Sequence, residues 1–345
     1  MTHTDHQTWA EIAQQPAIWR DWGRALPVAD LRAWVDGLGV DEVWFCGAGS
    51  SAFVGDVVVA ALEGQGRFRA VATTDLVSRP AAYLAGRRPL IVSFGRSGNS
   101  SESIGVLDAL DALAPDAPRL NITCNGGSAL ATRLAARQRV VVLPPATHDA
   151  GFAMTSSFTT MLLTALAVFD HTIADVPTRM DDLAEALERA MPWFLAGANA
   201  ARVPERAVFL GAGPLAPAAR EAALKVMELS AGRVAVLWDS TLGFRHGPKS
   251  FVVGATDIWV FASGGHAGRY DADLLRELRS QFPGSGVAVY APGFDGWGAV
   301  LAVAMAQVLA VVWSDRMGLP VDDPFAGQGT LTRVVSGVAL HQVPR

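Results

Sequence analysis

The sequence predicts an α/β fold of two tandem doubly wound, flavodoxin-like units, each built on a central parallel sheet. Three observations predict it. Short runs rich in Val, Ile and Leu alternate with helical stretches, as in a parallel sheet buried on both faces. The 345 residues, half of them hydrophobic, suffice for two cores of ordinary size. A strand–turn–helix start occurs twice, at Val43-Trp-Phe-Cys-Gly-Ala-Gly49 and at Ala207-Val-Phe-Leu-Gly-Ala-Gly213, with Gly47 and Gly211 separated by 164 positions. We read a duplicated unit: a helical segment at 1–37, a first domain at 38–192, and a second domain with a C-terminal tail at 193–345. The linker falls near 171–205.

Residues 8–36 read as helical, with Trp9, Ile12, Ile18, Trp22, Leu31 and Val35 at the buried positions. Strands follow at Glu42–Cys46, Phe68–Thr73, Leu90–Phe94, Leu120–Cys124 and Val140–Leu143. Helices at 50–63, 75–85, 99–113 and 127–137 separate them, one at 155–170 closes the half, and an acidic amphipathic helix follows near 180–192. In the second half the strands are Ala207–Leu210, Val234–Trp238, Asp257–Phe261 and Val287–Tyr290, with helices at 216–230, 269–281 and 297–313. Trp297–Trp313 is almost wholly apolar, but its 17 residues sit at the short limit for a bilayer span. No Lys/Arg cluster flanks it, so a buried core helix is expected and no membrane partner.

The net charge of −5 argues against a nucleic-acid surface, which needs clustered excess cations. With Cys46 and Cys124 as the only cysteines there is no disulfide framework, and a reducing, cytoplasmic setting is expected. The first residues lack the basic and apolar blocks of a signal peptide. The histidines show no metal-ligand spacing, and no H-E-x-x-H or C-x-x-C occurs, so neither a metal nor a cofactor is expected.

Gly47-Ala-Gly49-Ser-Ser-Ala52 and Gly211-Ala-Gly213-Pro-Leu-Ala216 have the G-x-G-x-x-A spacing of nucleotide sites. Glycine lets the backbone approach an anion, and the N–H groups of a helix start meet it. The pattern therefore speaks for a phosphate more than for NAD. Asp75, 28 residues beyond Gly47, is the ribose ligand of the NAD reading and a helix cap otherwise. A turn without ligand stays open for the first copy. It is favoured for the second, where Pro214 removes an N–H and no hydroxyl follows.

Gly95-Arg96-Ser97-Gly98-Asn99-Ser100 again joins a strand end to a helix start, and supplies a permanent cation and hydroxyls suited to a phosphate dianion. A capping box with Glu102 is the plain alternative. Loops at the carboxyl ends of doubly wound strands share one crevice, so this loop and Ser50–Ser51 can close on one monophosphate. Glu221, Lys225 and Glu228 recur on one helix face, which alone reads as a solvated, ion-paired surface. His246, in Arg245-His-Gly-Pro248 after a strand, suits proton exchange near neutrality, although a lone loop histidine is more often structural. Thr155 and Ser156 open the 155–170 helix, where they either line a sugar site or cap the helix.

Together and in this order, the Gly-Ala-Gly-Ser-Ser51 turn, the Arg96–Ser100 loop, Ala223-Leu-Lys-Val-Met-Glu228 and Arg245–Pro248 resemble the motifs of the sugar isomerase (SIS) family over roughly residues 40–340. Ser93-Phe-Gly-Arg-Ser-Gly-Asn-Ser100, Asp239-Ser-Thr-Leu-Gly-Phe-Arg-His-Gly-Pro-Lys249 and Arg333-Val-Val-Ser-Gly-Val338 are most similar to its tagatose-6-phosphate ketose/aldose isomerase and galactosamine-6-phosphate deaminase group. Related glucosamine-6-phosphate synthases begin the serine loop Ser-Gln-Ser, where this chain has Gly95, Arg96 and Ser97, so the phosphate geometry should differ. The chain leaves no room for their glutaminase domain, so ammonia release is expected rather than glutamine-driven synthesis. Arg333 is the cation nearest to the place of their substrate-contacting tail lysine, and it forms no Schiff base.

The resemblance implies an amino-sugar-6-phosphate deaminase/isomerase acting on galactosamine or glucosamine 6-phosphate. Ser50, Ser51, Arg96, Ser97 and Ser100 would hold the phosphate, and Gly49, Thr155, Ser156 and Arg333 the sugar. Glu228 would move the proton from C2 to C1, His246 would assist ring opening, and Lys225 would steady an enolate oxygen or pair with Glu221 or Glu228. Since the family's histidine can come from a neighbouring subunit, a homodimer is implied. The rivals are a plain aldose/ketose 6-phosphate isomerase, a phosphosugar sensor that would not need Glu228 or His246, and an NAD enzyme.

Overall fold

A computed structural model describes residues 3–329, 331–335 and 337–343. The N-terminal stretch forms three helices, α1 (Gln7–Ala13), α2 (Gln15–Ala25) and α3 (Val28–Asp36), the last beginning directly after Pro27. Ile12, Ile18, Trp22 and Leu31 are buried as expected, while Trp9 and Val35 are half-buried. The start of α1 is capped from the far end of the chain: the Asp322 carboxylate accepts the Gln7 and Thr8 N–H groups at 2.9 and 2.7 Å.

The first sheet contains β1 (Val43–Gly47), β2 (Phe68–Ala72), β3 (Leu90–Gly95), β4 (Arg119–Thr123) and β5 (Gln138–Val142), all parallel in the order β2-β1-β3-β4-β5. Its helices are α4 (Ser50–Ala61), α5 (Thr73–Ser78), α6 (Pro80–Leu84), α7 (Ser101–Leu113), α8 (Ala129–Thr132) and α9 (Ser156–Phe169). The helix expected at 75–85 is split at Arg79, because a residue before proline is forced out of the helical region. Only one turn, α8, forms within 127–137.

The stretch expected as a linker is mostly α10 (Val176–Ala200). Asp175 caps it by accepting the Thr178 N–H. It runs through Pro192, where the sequence reading ended it. Burial of Phe194 and Ala198 beyond the proline offsets the missing hydrogen bond. The second sheet holds β6 (Arg206–Gly211), β7 (Ala235–Ser240), β8 (Thr256–Phe261) and β9 (Gly286–Tyr290), with α11 (Leu215–Leu229), α12 (Gly265–Gln281) and α13 (Ala299–Arg316). Its order is β7-β6-β8-β9, again parallel.

The halves share one hydrophobic core. Side chains from the N-terminal helices, both sheets, α9, α10, α11 and α13 form a single cluster. Residues Ala299 to Ser314 of α13 are all buried in it, so this helix, long and apolar enough to cross a membrane, is a core element here. The strand order changes direction between β1 and β3, and the crevice at the carboxyl ends of those two strands is where an open α/β sheet takes a ligand.

Candidate active site

The two glycine turns have the same backbone geometry. Gly49 and Gly213 have φ of 57° and 55°, and a Cβ on Gly47 or Gly211 would lie 2.3 or 2.4 Å from the carbonyl of the residue four positions on. Their surroundings differ. The first turn opens on Ser50 and Ser51, which begin α4. The second meets Pro214, and Gly296 packs so closely beneath that its Cβ would lie 2.4 Å from Ala61 Cβ. Pro214 and Leu215 stand where the first turn has Ser50 and Ser51.

Beside the first turn lies a cavity of about 340 Å³. Gly49, Ser51, Arg96, Ser97, Ser100 and Arg333 all line it, joined by Met154. The structure thus brings together six of the expected binding residues, from three separate stretches of chain. Ser100 caps α7 by accepting the Ser103 N–H at 3.1 Å, and Ser97 Oγ accepts the Asn99 N–H at 3.3 Å. With the Ser103 N–H taken by this cap, the Ser101 and Glu102 N–H groups at the start of α7 have no acceptor within the helix and are the ones that can meet an anion.

Arg96 has a different setting from the free phosphate ligand expected. Its guanidinium is buried, donating from Nη1 to the Gly151 and Phe152 carbonyls (3.2 and 3.1 Å) and from Nη2 to the Arg333 carbonyl (2.9 Å). Burial, and then the like charge of Arg333, lower its pKa from the ordinary arginine value. Arg96 therefore ties the serine loop to the 149–155 loop and to the tail. Arg333 donates back to the Asp149 carbonyl.

Thr155 and Ser156 are fully buried and do not face the cavity. Both hydroxyls and both N–H groups donate to the Asp149 carboxylate, which also takes the N–H and hydroxyl of Ser157. Thr155 stands at the N-cap position of α9, but neither hydroxyl caps the helix: the Asp149 carboxylate is the acceptor that does so. Asp149 was not legible as a site residue, because nothing local marks it as a cap.

Ser50 turns away from the cavity as well. Its Oγ accepts from Lys225 Nζ at 3.0 Å. Lys225 is fully buried on α11, with Glu228 Oε2 at 2.5 Å and Glu221 Oε1 at 3.3 Å. Burial alone would lower the lysine pKa, but the two carboxylates outweigh it and raise it. Glu221 is fully buried, and desolvation pushes its pKa up to about 7 against the opposing pull of Lys225. Of the three only Glu228 reaches solvent, with a fifth of its side chain exposed. The face read as solvated is a buried ion-paired row that ends in one accessible carboxylate; Glu228 does not line the cavity, but Lys225 links it to Ser50, the neighbour of cavity-lining Ser51.

His246 stands apart. It is exposed, in the connection from β7 to β8. Phe244 and Val252 of that connection pack with Leu274 and Leu278 of α12 against Val208, Leu210, Ile258 and Val260. Ala222 and Val226 of α11 belong to the other cluster, with Ala207, Phe209, Trp259 and Phe261. Alternate strand residues point to opposite faces, so the second sheet separates His246 from Glu228 within one chain.

The SIS domain model matches residues 40–170. D-galactosamine-6-phosphate deaminase AgaS from Escherichia coli is 38% identical, over 97% of this chain and 96% of its own. The Shewanella protein of the same name is 36% identical, over 96% and 90%. The crystal structure of tagatose-6-phosphate ketose/aldose isomerase from Escherichia coli superposes with a TM-score of 0.88 at 34% identity, covering 99% of this chain and 98% of that one. With likeness of this depth along nearly its whole length, the chain belongs to the SIS domain family, in its AgaS group.

Proposed function

We propose that the protein is an amino-sugar-6-phosphate deaminase/isomerase that converts galactosamine 6-phosphate to the ketose 6-phosphate and ammonia. The observation that carries this reading is the accessible Glu228 carboxylate, held by buried Lys225, which also bonds Ser50, the neighbour of cavity-lining Ser51. The phosphate sits against Ser51, Ser97, Ser100 and the helix-start N–H groups, with Arg96 and Arg333 supplying positive charge behind them. Anchoring that end positions C1 and C2 for reaction.

After ring opening, Glu228 takes the proton from C2 of the open-chain amino aldose, giving an enolamine. Returning the proton to C1 leaves an imine at C2. Water adds to that carbon, the C–N bond breaks, and ammonia departs as the carbonyl forms. Lys225 fixes the orientation of Glu228, and Glu221 balances the lysine charge in the dry interior. His246 from a second copy of the chain moves the ring-opening proton, so the working unit in this reading is a homodimer. Its setting is the cytoplasm, in keeping with two buried free thiols.

Ammonia release from galactosamine 6-phosphate, with glucosamine 6-phosphate in parallel, tests the assignment. Glu228→Gln should abolish release while leaving ligand binding intact, and release unaffected by that change would refute it. A protein that interconverts tagatose 6-phosphate and its aldose but frees no ammonia would be the plain isomerase, a reading favoured by the solved structure it superposes on.

A further inference from the structure

Behind Arg96 lies a buttress that no motif marked. Glu11 of α1 is buried outside the cavity, and its Oε1 accepts the Ala150 and Gly151 N–H groups at 2.6 and 3.1 Å. Gly151 fits tightly there: a Cβ would lie 2.5 Å from Thr8 Oγ1. Thr8 is in turn bonded to the Asp322 carboxylate, and the Phe152 N–H donates to the Asp322 carbonyl at 2.9 Å. One peptide segment, 150–152, is thus gripped through its N–H groups by Glu11 and Asp322. The Gly151 and Phe152 carbonyls of that segment receive Arg96. Two residues on, Met154 lines the cavity, where Ser51 Oγ touches its sulfur at 3.8 Å.

We propose that Glu11 is a positioning residue for substrate binding: by holding the Ala150 and Gly151 N–H groups it aims the carbonyls that seat Arg96, and so sets the phosphate loop in its binding conformation. The inference rests on the reading above that this cavity takes a sugar phosphate. Its physical basis is that a peptide segment held from only one side can rotate. With the N–H groups released, the carbonyls drift from the guanidinium, and a buried arginine without acceptors moves toward water or pulls its own loop with it. A carboxylate grips amide donors about twice as strongly as a neutral acceptor. Burial, and then the charge of Asp149, push the Glu11 pKa up to about 7, so the charged grip is complete only above that pH.

The test compares wild type, Glu11→Ala and Glu11→Gln. Binding of galactosamine 6-phosphate and, separately, of inorganic phosphate is titrated by calorimetry, and kcat and KM are measured for ammonia release. Glu11→Ala should weaken both ligands and raise KM by roughly tenfold or more, the effect of losing a charge-assisted hydrogen bond, with kcat within about twofold. Glu11→Gln keeps an oxygen at the same reach and should restore most of the affinity, which a merely structural role would not predict. If the alanine variant does not fold, Glu11→Asp, too short to reach both N–H groups, should show the same weakening. Unchanged phosphate affinity in Glu11→Ala or Glu11→Asp would overturn the proposal, as would a fall in kcat at constant KM. A wild type that binds phosphate but frees no ammonia would overturn the activity and leave this proposal to be decided by the phosphate titrations. A wild type that binds neither ligand would overturn both.

Discussion

The Lys225 ammonium donates to Ser50 Oγ at 3.0 Å across 175 positions of sequence, joining the last turns of α11 to the first turn of α4. This one contact places a carboxylate of the second half beside the glycine–serine turn of the first. It also makes Lys225 a structural hinge pin as much as a chemical group, since the ammonium has no route to water and three oxygens around it.

Lys225→Met should therefore be costly twice over. It leaves Glu221 buried without its counter-charge, an arrangement that destabilises by about 3–5 kcal/mol. Adding Glu221→Met should recover most of that stability, because a well-packed apolar pair can replace a buried ion pair. Activity should not return, since Glu228 has lost its anchor. Denaturation midpoints and ammonia release for the single and double variants check this. A double variant that turns over like wild type would show that Lys225 matters only for folding.

The second sheet stands between His246 and Glu228. In a homodimer that exchanges histidines, Glu228→Gln and His246→Gln are each inactive alone. Mixed after unfolding and refolding, they form heterodimers in which one of the two sites is whole, so about one quarter of the wild-type activity should reappear. Absence of any recovery would mean that both groups act within one chain after a rearrangement.

Arg96→Lys retains the charge but loses the fork that reaches three carbonyls on two segments. KM for the sugar phosphate should rise by about tenfold or more, with a stability loss of about 1–3 kcal/mol for the carbonyls left without donors. Steady-state kinetics and chemical denaturation report both. An unaltered KM would show that the tie between the serine loop, the 149–155 loop and the tail is dispensable for binding.

Glu11 should make stability depend on pH in the direction opposite to that of a salt-bridged carboxylate. Its pKa is about 7 in the folded chain against 4.5 for the unperturbed group. The folded state then binds more protons than the unfolded state across that interval, so stability falls as pH rises from 4.5 to 7. The full loss is on the order of 3 kcal/mol. Glu11→Gln carries no proton to release, and denaturation at pH 5 and 7.5 should show the slope flattened by that amount. A slope identical to wild type would place the Glu11 pKa near its ordinary value.

Local pattern was enough to find every strand of both sheets, because runs of β-branched and apolar residues favour extended chain even where the strand, as in β5, β7 and β9, is largely not buried. It was also enough for the glycine turns, since Gly49 and Gly213 occupy backbone space that only glycine enters at low cost. Ser51, Ser97 and Ser100 were legible as cavity residues because each lies at a strand end or helix start, and the topology of a doubly wound sheet sends those places to one crevice. Where the reading failed, the deciding contact was remote. Ser50 and Ser51 are neighbours on one turn, yet one faces Lys225 and the other the cavity. Thr155 and Ser156 have sugar-binding chemistry, but Asp149 folds back on them and takes both hydroxyls. Glu11 carries no signal at all, being one acid on an amphipathic helix.

By itself, then, the amino-acid sequence determined the two parallel sheets, the tight glycine turns and the kinds of groups that line the cavity beside the first of them. These follow from the backbone preferences and the burial of nearby residues. The tertiary structure alone decided which carboxylate is left accessible, which arginine donors are taken by carbonyls and on which face of the second sheet the histidine lies. Those outcomes depend on how helices from distant parts of the chain are rotated and docked. A rotation of one position on α11 turns a side chain by about 100°, which separates a buried ion pair from a surface charge.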